Sequence, residues 1–241
     1  RAEMLANIVA LKKNIIVTGS HGKTTTTSLV ARVLSESKLD PTIINGGVIN
    51  SINSNARFGK GEWAVLEADE SDGSFLKLPI NYSVITNLDK EHLDFYKNYE
   101  NLKNSFIKFI KKTPPIGKSI ICLDSPDLKN ILKKINKKNY LTYGFDKGSN
   151  YQILNPRYNL NSSKFDLKVY NHGSKKITIK NIFVNLIGKH NILNATASIA
   201  VCLNLGISVI IIKKALKDFS GVQRRLTRVF IKNKNEFYDD Y

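Results

Sequence analysis

At 241 residues, 42% of them hydrophobic, the chain is long enough to bury a full core and too apolar to be disordered. Its two cysteines, Cys122 and Cys202, sit in apolar runs with no clustered partners, which argues against a disulfide scaffold or a metal cluster, and no apolar stretch approaches the length of a membrane span. The net charge of +17 comes from lysines scattered among Asn and Ile, as in residues 133–139, with no aromatic–basic platform; it predicts solvated faces or an anionic small substrate, and no specific nucleic-acid partner.

Residues 1–12, with Met4, Leu5, Ile8, Val9 and Leu11, read as a short helix. The β-branched run Ile15–Thr18 reads as a buried strand. Then come Gly19-Ser20-His21-Gly22-Lys23-Thr24-Thr25 and an apolar stretch at helical spacing, Leu29, Val30, Val33 and Leu34. Strand, glycine loop and helix form the setting of a phosphate-binding loop. The glycines let the backbone approach a phosphate, and the N–H groups and dipole at the helix start favour an anion. Lys23 is then placed to reach the β- and γ-phosphates, and the Thr24 hydroxyl to ligate Mg²⁺. Only two residues separate the glycines, where the strict pattern has four, so the flanking strand and helix carry this reading.

Thr42–Asn45 reads as a second strand, and the Gly/Asn/Ser-rich stretch from Gly46 to Gly61 as a polar loop facing a ligand. A third strand, Trp63–Leu66, runs into Glu67-Ala68-Asp69-Glu70-Ser71-Asp72. The carboxyl end of a strand in a parallel sheet is where ligands bind, and a nucleotide-bound Mg²⁺ needs carboxylates nearby. Alternation puts Glu67 and Asp69 on one face and Ala68 and Glu70 on the other, and leaves open which acid meets the metal. A fourth strand, Tyr82–Thr86, leads into Asn87-Leu88-Asp89-Lys90-Glu91-His92-Leu93-Asp94, where His92 is either a ligand or acid/base group or a plain surface histidine.

Residues 98–112 form an amphipathic helix stopped by Pro114-Pro115. Strand 118–123, helix 127–135 and strand 140–144 complete an alternating β/α order, which predicts an α/β fold with a doubly wound, mostly parallel sheet of P-loop type. From 150 to 185 the period changes to two, with a hairpin turn at Asn171–Ser174, predicting a small antiparallel appendage. Gly188-Lys189-His190-Asn191 opens a helix running through Leu205, with Asn191 and Asn194 on one face. Those amides suit the edge of a purine, and equally suit a capped, solvated helix start. A helix over 208–219 follows, then Arg224 and Arg225, candidates for a phosphate clamp or for surface charge, and two final strands.

Together, Gly19–Thr26, Glu67–Asp72 with Ser74-Phe75-Leu76, Thr86–Tyr96, Gly188–Asn191 with Asn194-Ala195, Gly221–Arg225 and Asp239-Asp240-Tyr241 resemble the Mur ligases of bacterial cell-wall synthesis, in the family's order. The acidic motifs are most similar to the branch that joins L-alanine to UDP-N-acetylmuramate. The resemblance implies a cytoplasmic, ATP-dependent amide ligase working through an acyl phosphate. Residues 1–222 would be its central ATP-binding domain and 223–241 the start of a C-terminal domain, so the chain resembles a fragment lacking the UDP-binding domain.

By the same resemblance, Gly19, Ser20, His21, Gly22, Lys23, Thr24 and Thr25 form the ATP loop. Lys23, Glu70 and His92 are catalytic, Thr24 and Glu70 hold Mg²⁺, and His92 lies near a second metal. His190, Asn191 and Asn194 would meet the adenine, and Arg225 a phosphate. Two alternatives stay open: a sister ligase, such as one recycling a murein tripeptide or a polyglutamate-type synthetase, and a P-loop NTPase acting on nucleic acid.

Overall fold

The structure, a computed structural model, describes residues 2–170, 176–224, 227–233 and 235–240. Helix α1 (Ala2–Val9) leads into β1 (Lys13–Thr18), whose Ile15, Ile16 and Val17 are all fully buried, as expected of a strand covered on both faces. The chain continues through α2 (Lys23–Glu36), β2 (Thr42–Ile49), β3 (Ser54–Arg57), β4 (Trp63–Glu67), β5 (Tyr82–Ile85), α3 (Leu93–Tyr96) and α4 (Tyr99–Lys112). It goes on through β6 (Ser119–Cys122), α5 (Pro126–Ile131), β7 (Tyr140–Gly144), β8 (Tyr151–Tyr158), β9 (Ser163–Val169), β10 (Ile177–Val184), α6 (Lys189–Asn204) and α7 (Val209–Lys217). It ends in β11 (Thr227–Lys232) and β12 (Asn235–Asp239).

One sheet of ten strands runs β10-β9-β8-β7-β6-β5-β1-β4-β2-β3. From β8 to β2 every neighbouring pair is parallel, and β3, β9 and β10 add antiparallel edges. The chain leaves β1 for β2, returns to β4 beside β1, and then crosses to β5 on the other side. That reversal places the crevice at the carboxyl ends of β1, β4 and β5, where a doubly wound sheet binds its ligand. Helices α2, α6 and α7 pack on one another and on the sheet. A further group forms where the 3-10 turn Ser74–Lys77 meets α1 and α4. Fully buried Phe75 lies 4.9 Å from Phe109 and 5.5 Å from Phe106, and so pins the acidic segment that follows β4.

Local chemistry explains the helix ends. The Asn98 side chain accepts from Asn101 N–H to start α4, and the Ser208 side chain accepts from Ile211 N–H to start α7. Both cysteines are free and buried, and burial pushes Cys122 up to about 11 and Cys202 to about 12, so neither is a thiolate at neutral pH.

Two expectations need correction. The polar stretch after Asn45 is not a loop throughout: β2 runs on to Ile49 and turns back as β3, pairing Ile43 with Arg57 and Ile44 with Ala56. The helix expected over 127–135 winds as α5 only to Ile131. A 3-10 turn over Leu132–Lys134 follows, closed by Ile135 N–H donating to the Leu132 carbonyl, and it brings Ile135 into the core. The antiparallel appendage expected over 150–185 is present: β8, β9 and β10 pair antiparallel in sequence order. They extend the main sheet through the short β7–β8 pairing of Tyr143 with Tyr151 and Gly144 with Gln152. The two runs at 177–179 and 182–184 are one strand, β10, interrupted by a bulge at which Asn181 N–H donates to Asp166. The turn predicted at Asn171–Ser174 lies outside the described residues.

Candidate active site

The loop from Gly19 to Gly22 crosses the carboxyl end of β1 and delivers α2 to the crevice. Gly19 has φ +128° and Gly22 φ +81°, values that L side chains rarely adopt. A Cβ on Gly19 would sit 2.3 Å from Thr86 Oγ1, and one on Gly22 would sit 2.5 Å from Asn194 Oδ1. These glycines therefore let the loop lie against the end of β5 and let α2 start against α6. No side chain caps α2. Among the described residues the backbone N–H groups of Gly22, Lys23, Thr24 and Thr25 have no acceptor; the first helical bond is Thr26 N–H to Gly22 O. Four unsatisfied donors at the positive end of a 14-residue helix make an anion cradle.

Lys23 Nζ donates to the carbonyls of Gly19 (2.8 Å) and Ser20 (3.4 Å) and to Glu70 Oε2 (3.0 Å). The Glu70 side chain is only 1% exposed. Its Oε1 is buried and accepts no hydrogen bond, while the Tyr96 hydroxyl donates to its main-chain carbonyl. Burial pushes the Glu70 carboxyl above the usual carboxylate range, outweighing the attraction of Lys23. As pH falls, the folded chain therefore binds a proton before the unfolded chain does. The contribution of this group to stability is greatest below the ordinary carboxylate value and declines as pH rises through the raised one. Glu70→Gln removes that dependence. In thermal unfolding of the metal-free protein, the melting temperature of the variant should gain on that of the parent from acid to neutral pH.

A second carboxylate meets the loop directly. Thr24 Oγ1 donates to Glu67 Oε1 (3.0 Å), and Gly46 N–H donates to Glu67 Oε2 (2.6 Å). Asp69, Glu70 and His92 form another corner, one ligand atom of each lying within 4.8 Å of the others. His92 Nε2 is 3.8 Å from the orphaned Glu70 Oε1 and 3.9 Å from Glu91. Oxygen donors of this kind suit a hard divalent cation such as Mg²⁺, and His92 is the softer member. The buried Glu70 oxygen without a partner is what such a cation would satisfy.

The wall opposite comes from α6. Asn191 Nδ2 donates to Ile187 O, Asn194 Nδ2 to Asn191 Oδ1, and Thr26 Oγ1 to Asn194 Oδ1. Both amides are buried and joined in a relay from α2 to the loop before α6, leaving each one donor hydrogen for a ligand. His190 lies beside them.

A cavity of about 620 Å³ gathers Ser20 to Thr25, Glu67, Asp69, His92, His190, Asn191 and Asn194. Gly19 and Glu70 do not line this cavity, Glu70 being buried and bonded to Lys23, and Arg225 falls outside the described residues. A second cavity, of about 680 Å³, shares Lys23, Glu67 and Asp69 with the first and has Leu5, Ile8 and Phe75 among its apolar walls. The acidic cluster obeys the alternation read from sequence: Glu67 and Asp69 face the cavity, and Ala68 and Glu70 are buried. Thr24, which the resemblance assigns with Glu70 to Mg²⁺, is hydrogen-bonded here to Glu67, an acid that assignment does not include. Asp69 joins the corner of His92 and Glu70, a grouping that linear spacing does not reveal.

Residues 17–202 match the family described as the Mur ligase middle domain. Over all 241 residues the chain is 56% identical to the UDP-N-acetylmuramate–L-alanine ligase of Pelagibacter ubique (strain HTCC1062) and 44% identical to that of Brucella anthropi, covering 52% of each. It thus spans about half the length of the curated relatives it matches. In structure it is similar to the UDP-N-acetylmuramate-alanine ligase MurC of Thermotoga maritima, with a TM-score of 0.82 at 28% identity, over 99% of this chain and 52% of that one. A murein peptide ligase from Psychrobacter arcticus, with a TM-score of 0.76 at 22% identity over 100% of this chain and 54% of that one, shares the fold.

Proposed function

The chain belongs to the Mur ligase family through its middle domain, and on that premise we propose that it is the ATP-binding centre of a ligase that joins L-alanine to UDP-N-acetylmuramate. Residues 1–222 are the central domain in this reading, and 223–241 begin the next; β11 and β12 pair only with each other among the described strands, which supports that division. A cytoplasmic location goes with these substrates. No helix among the described residues is long and apolar enough to cross a membrane. The reading gives nucleic acid no role.

One observation carries the assignment. The cradle of free N–H groups, Lys23 and the Thr24–Glu67 pair all meet in one cavity, and a second cavity opens on the other side of the same residues. The loop amides and Lys23 hold the triphosphate, and the second cavity admits the acceptor. The acceptor carboxylate attacks the γ-phosphate to give an acyl phosphate and ADP, and the amine of L-alanine then displaces phosphate through a tetrahedral intermediate. Two anions must approach each other in the first step, so Lys23 neutralises charge where it accumulates. Thr24, Glu67, Asp69, Glu70 and His92 are the residues that would hold magnesium. Bound there, Mg²⁺ supplies Lewis-acid neutralisation of the phosphoryl oxygens.

The identity to alanine-adding relatives, and the Ser71–Phe75 stretch, favour L-alanine over the substrates of a sister ligase. Phosphate release by the full-length enzyme tests this. It should require both UDP-N-acetylmuramate and L-alanine, and turnover with a peptide or another amino acid in place of L-alanine would overturn the assignment. Thr24→Ala removes the hydroxyl beside Glu67. It should raise the Mg²⁺ concentration for half-maximal activity about 10- to 100-fold, the scale of losing a group that shapes a metal site; titrating Mg²⁺ at saturating ATP measures it.

A further inference from the structure

We propose that Asn87, which lies outside the loop, is the positioning residue that sets the phosphate loop's orientation and ties it to the segment bearing His92. Its side-chain amide forms a closed pair with the backbone of one residue of the loop: His21 N–H donates to Asn87 Oδ1 (2.8 Å), and Asn87 Nδ2 donates to His21 O (3.0 Å). Thr86 Oγ1 adds a third bond to the same carbonyl (2.6 Å), and Asp89 N–H donates to Ser20 Oγ (3.0 Å). The backbone leads up to this point in register, Thr18 pairing with Ile85 and Thr86 N–H donating to Thr18 O. The amide of Asn87 therefore continues the β1–β5 pairing one step past the sheet, using a side chain where the loop backbone has turned away.

The consequence is directional. With the His21 N–H and C=O both held toward β5, the following N–H groups of Gly22, Lys23, Thr24 and Thr25 are left without protein acceptors, as an anion cradle requires. Only a primary amide supplies both halves of this pair. A carboxylate at the same place accepts from His21 N–H but sets an oxygen against the His21 carbonyl, and adds negative charge beside the phosphates. The same segment continues to His92, so disorder at Asn87 reaches both sides of the cavity.

This inference rests on the loop being the ATP site, and the test separates the two. In the full-length ligase, Asn87→Ala should raise KM for ATP about 10- to 100-fold, the scale of two lost hydrogen bonds. KM values for UDP-N-acetylmuramate and L-alanine should stay near those of the parent. Asn87→Asp, nearly isosteric, should be worse than Asn87→Ala, and Thr86→Val should shift the same constant by less. Nucleotide-free melting temperatures should fall far less than the added stabilisation by ATP does. An unchanged KM for ATP in Asn87→Asp, or equal losses for all three substrates alongside a lowered melting temperature, would overturn the proposal. If Asn87→Ala fails to fold, Asn87→Asp decides alone. A parent enzyme that does not turn over ATP would instead overturn the reading of the loop itself.

Discussion

Lys23→Ala is expected to reduce ATP-dependent phosphate release by about 10²–10³-fold or more, the scale of removing one preorganised electrostatic contact at a charge-building step. It should also destabilise the ligand-free protein. Lys23 is the side chain that faces the buried carboxylate of Glu70, and removing it leaves that carboxyl in a site that already disfavours its charge. Orphaning one member of a buried pair costs about 3–5 kcal/mol, with uptake of a proton by Glu70 as the route of relief. The two effects part in the double variant. Lys23→Ala with Glu70→Gln carries no buried charge, so thermal stability should recover while phosphate release stays lost. If the double variant regained activity along with stability, the role of Lys23 would be structural and the charge-neutralisation argument would fail.

The partners in this pair are set by tertiary structure and not by local sequence. The strand–loop–helix around Lys23 was legible because β-branched residues, two glycines and a helical period follow one another within about twenty positions, and each has a local cause. The alternation of Glu67, Ala68, Asp69 and Glu70 was legible for the same reason. What alternation could not supply was the partner of each acid. Thr24 lies 43 positions from Glu67, and Lys23 lies 47 from Glu70, so which acid meets which loop residue depends on the β1–β4 register. The resemblance implies that Thr24 and Glu70 share a magnesium ion, and it gives no sign that Glu67 accepts from the Thr24 hydroxyl. The β2–β3 hairpin carries the signature of a loop because Gly46, Gly47 and several Asn and Ser residues lack the apolar alternation of a strand, although the chain still pairs there at the sheet's edge. Likewise, the period-two pattern of β8 to β10 announced antiparallel strands without saying that two residue pairs between β7 and β8 would fuse them to the parallel sheet. The clamp of Asn87 on His21 spans 66 positions and leaves no local signature.

Gly19→Ala is expected to abolish ATP binding and to destabilise the fold by several kcal/mol, more than a glycine substitution in an ordinary turn. Two costs add. At φ +128° an alanine is strained wherever it is placed, by about 1–3 kcal/mol. Its Cβ would also stand 2.3 Å from Thr86 Oγ1, 2.8 Å from Asn87 O and 3.0 Å from Asn87 N, and two of those three atoms are backbone that cannot rotate away. Relief requires the loop to lift from β5, which breaks the His21–Asn87 pair and turns the N–H groups of Gly22 to Thr25 from the cavity. Adding Thr86→Ala removes the closest clash but neither the strained φ nor the backbone contacts, so it should recover part of the stability and little of the nucleotide affinity. Thermal unfolding with and without ATP measures both. A Gly19→Ala protein that melts near the parent and is still stabilised by ATP would show that the loop does not depend on its close seat against β5.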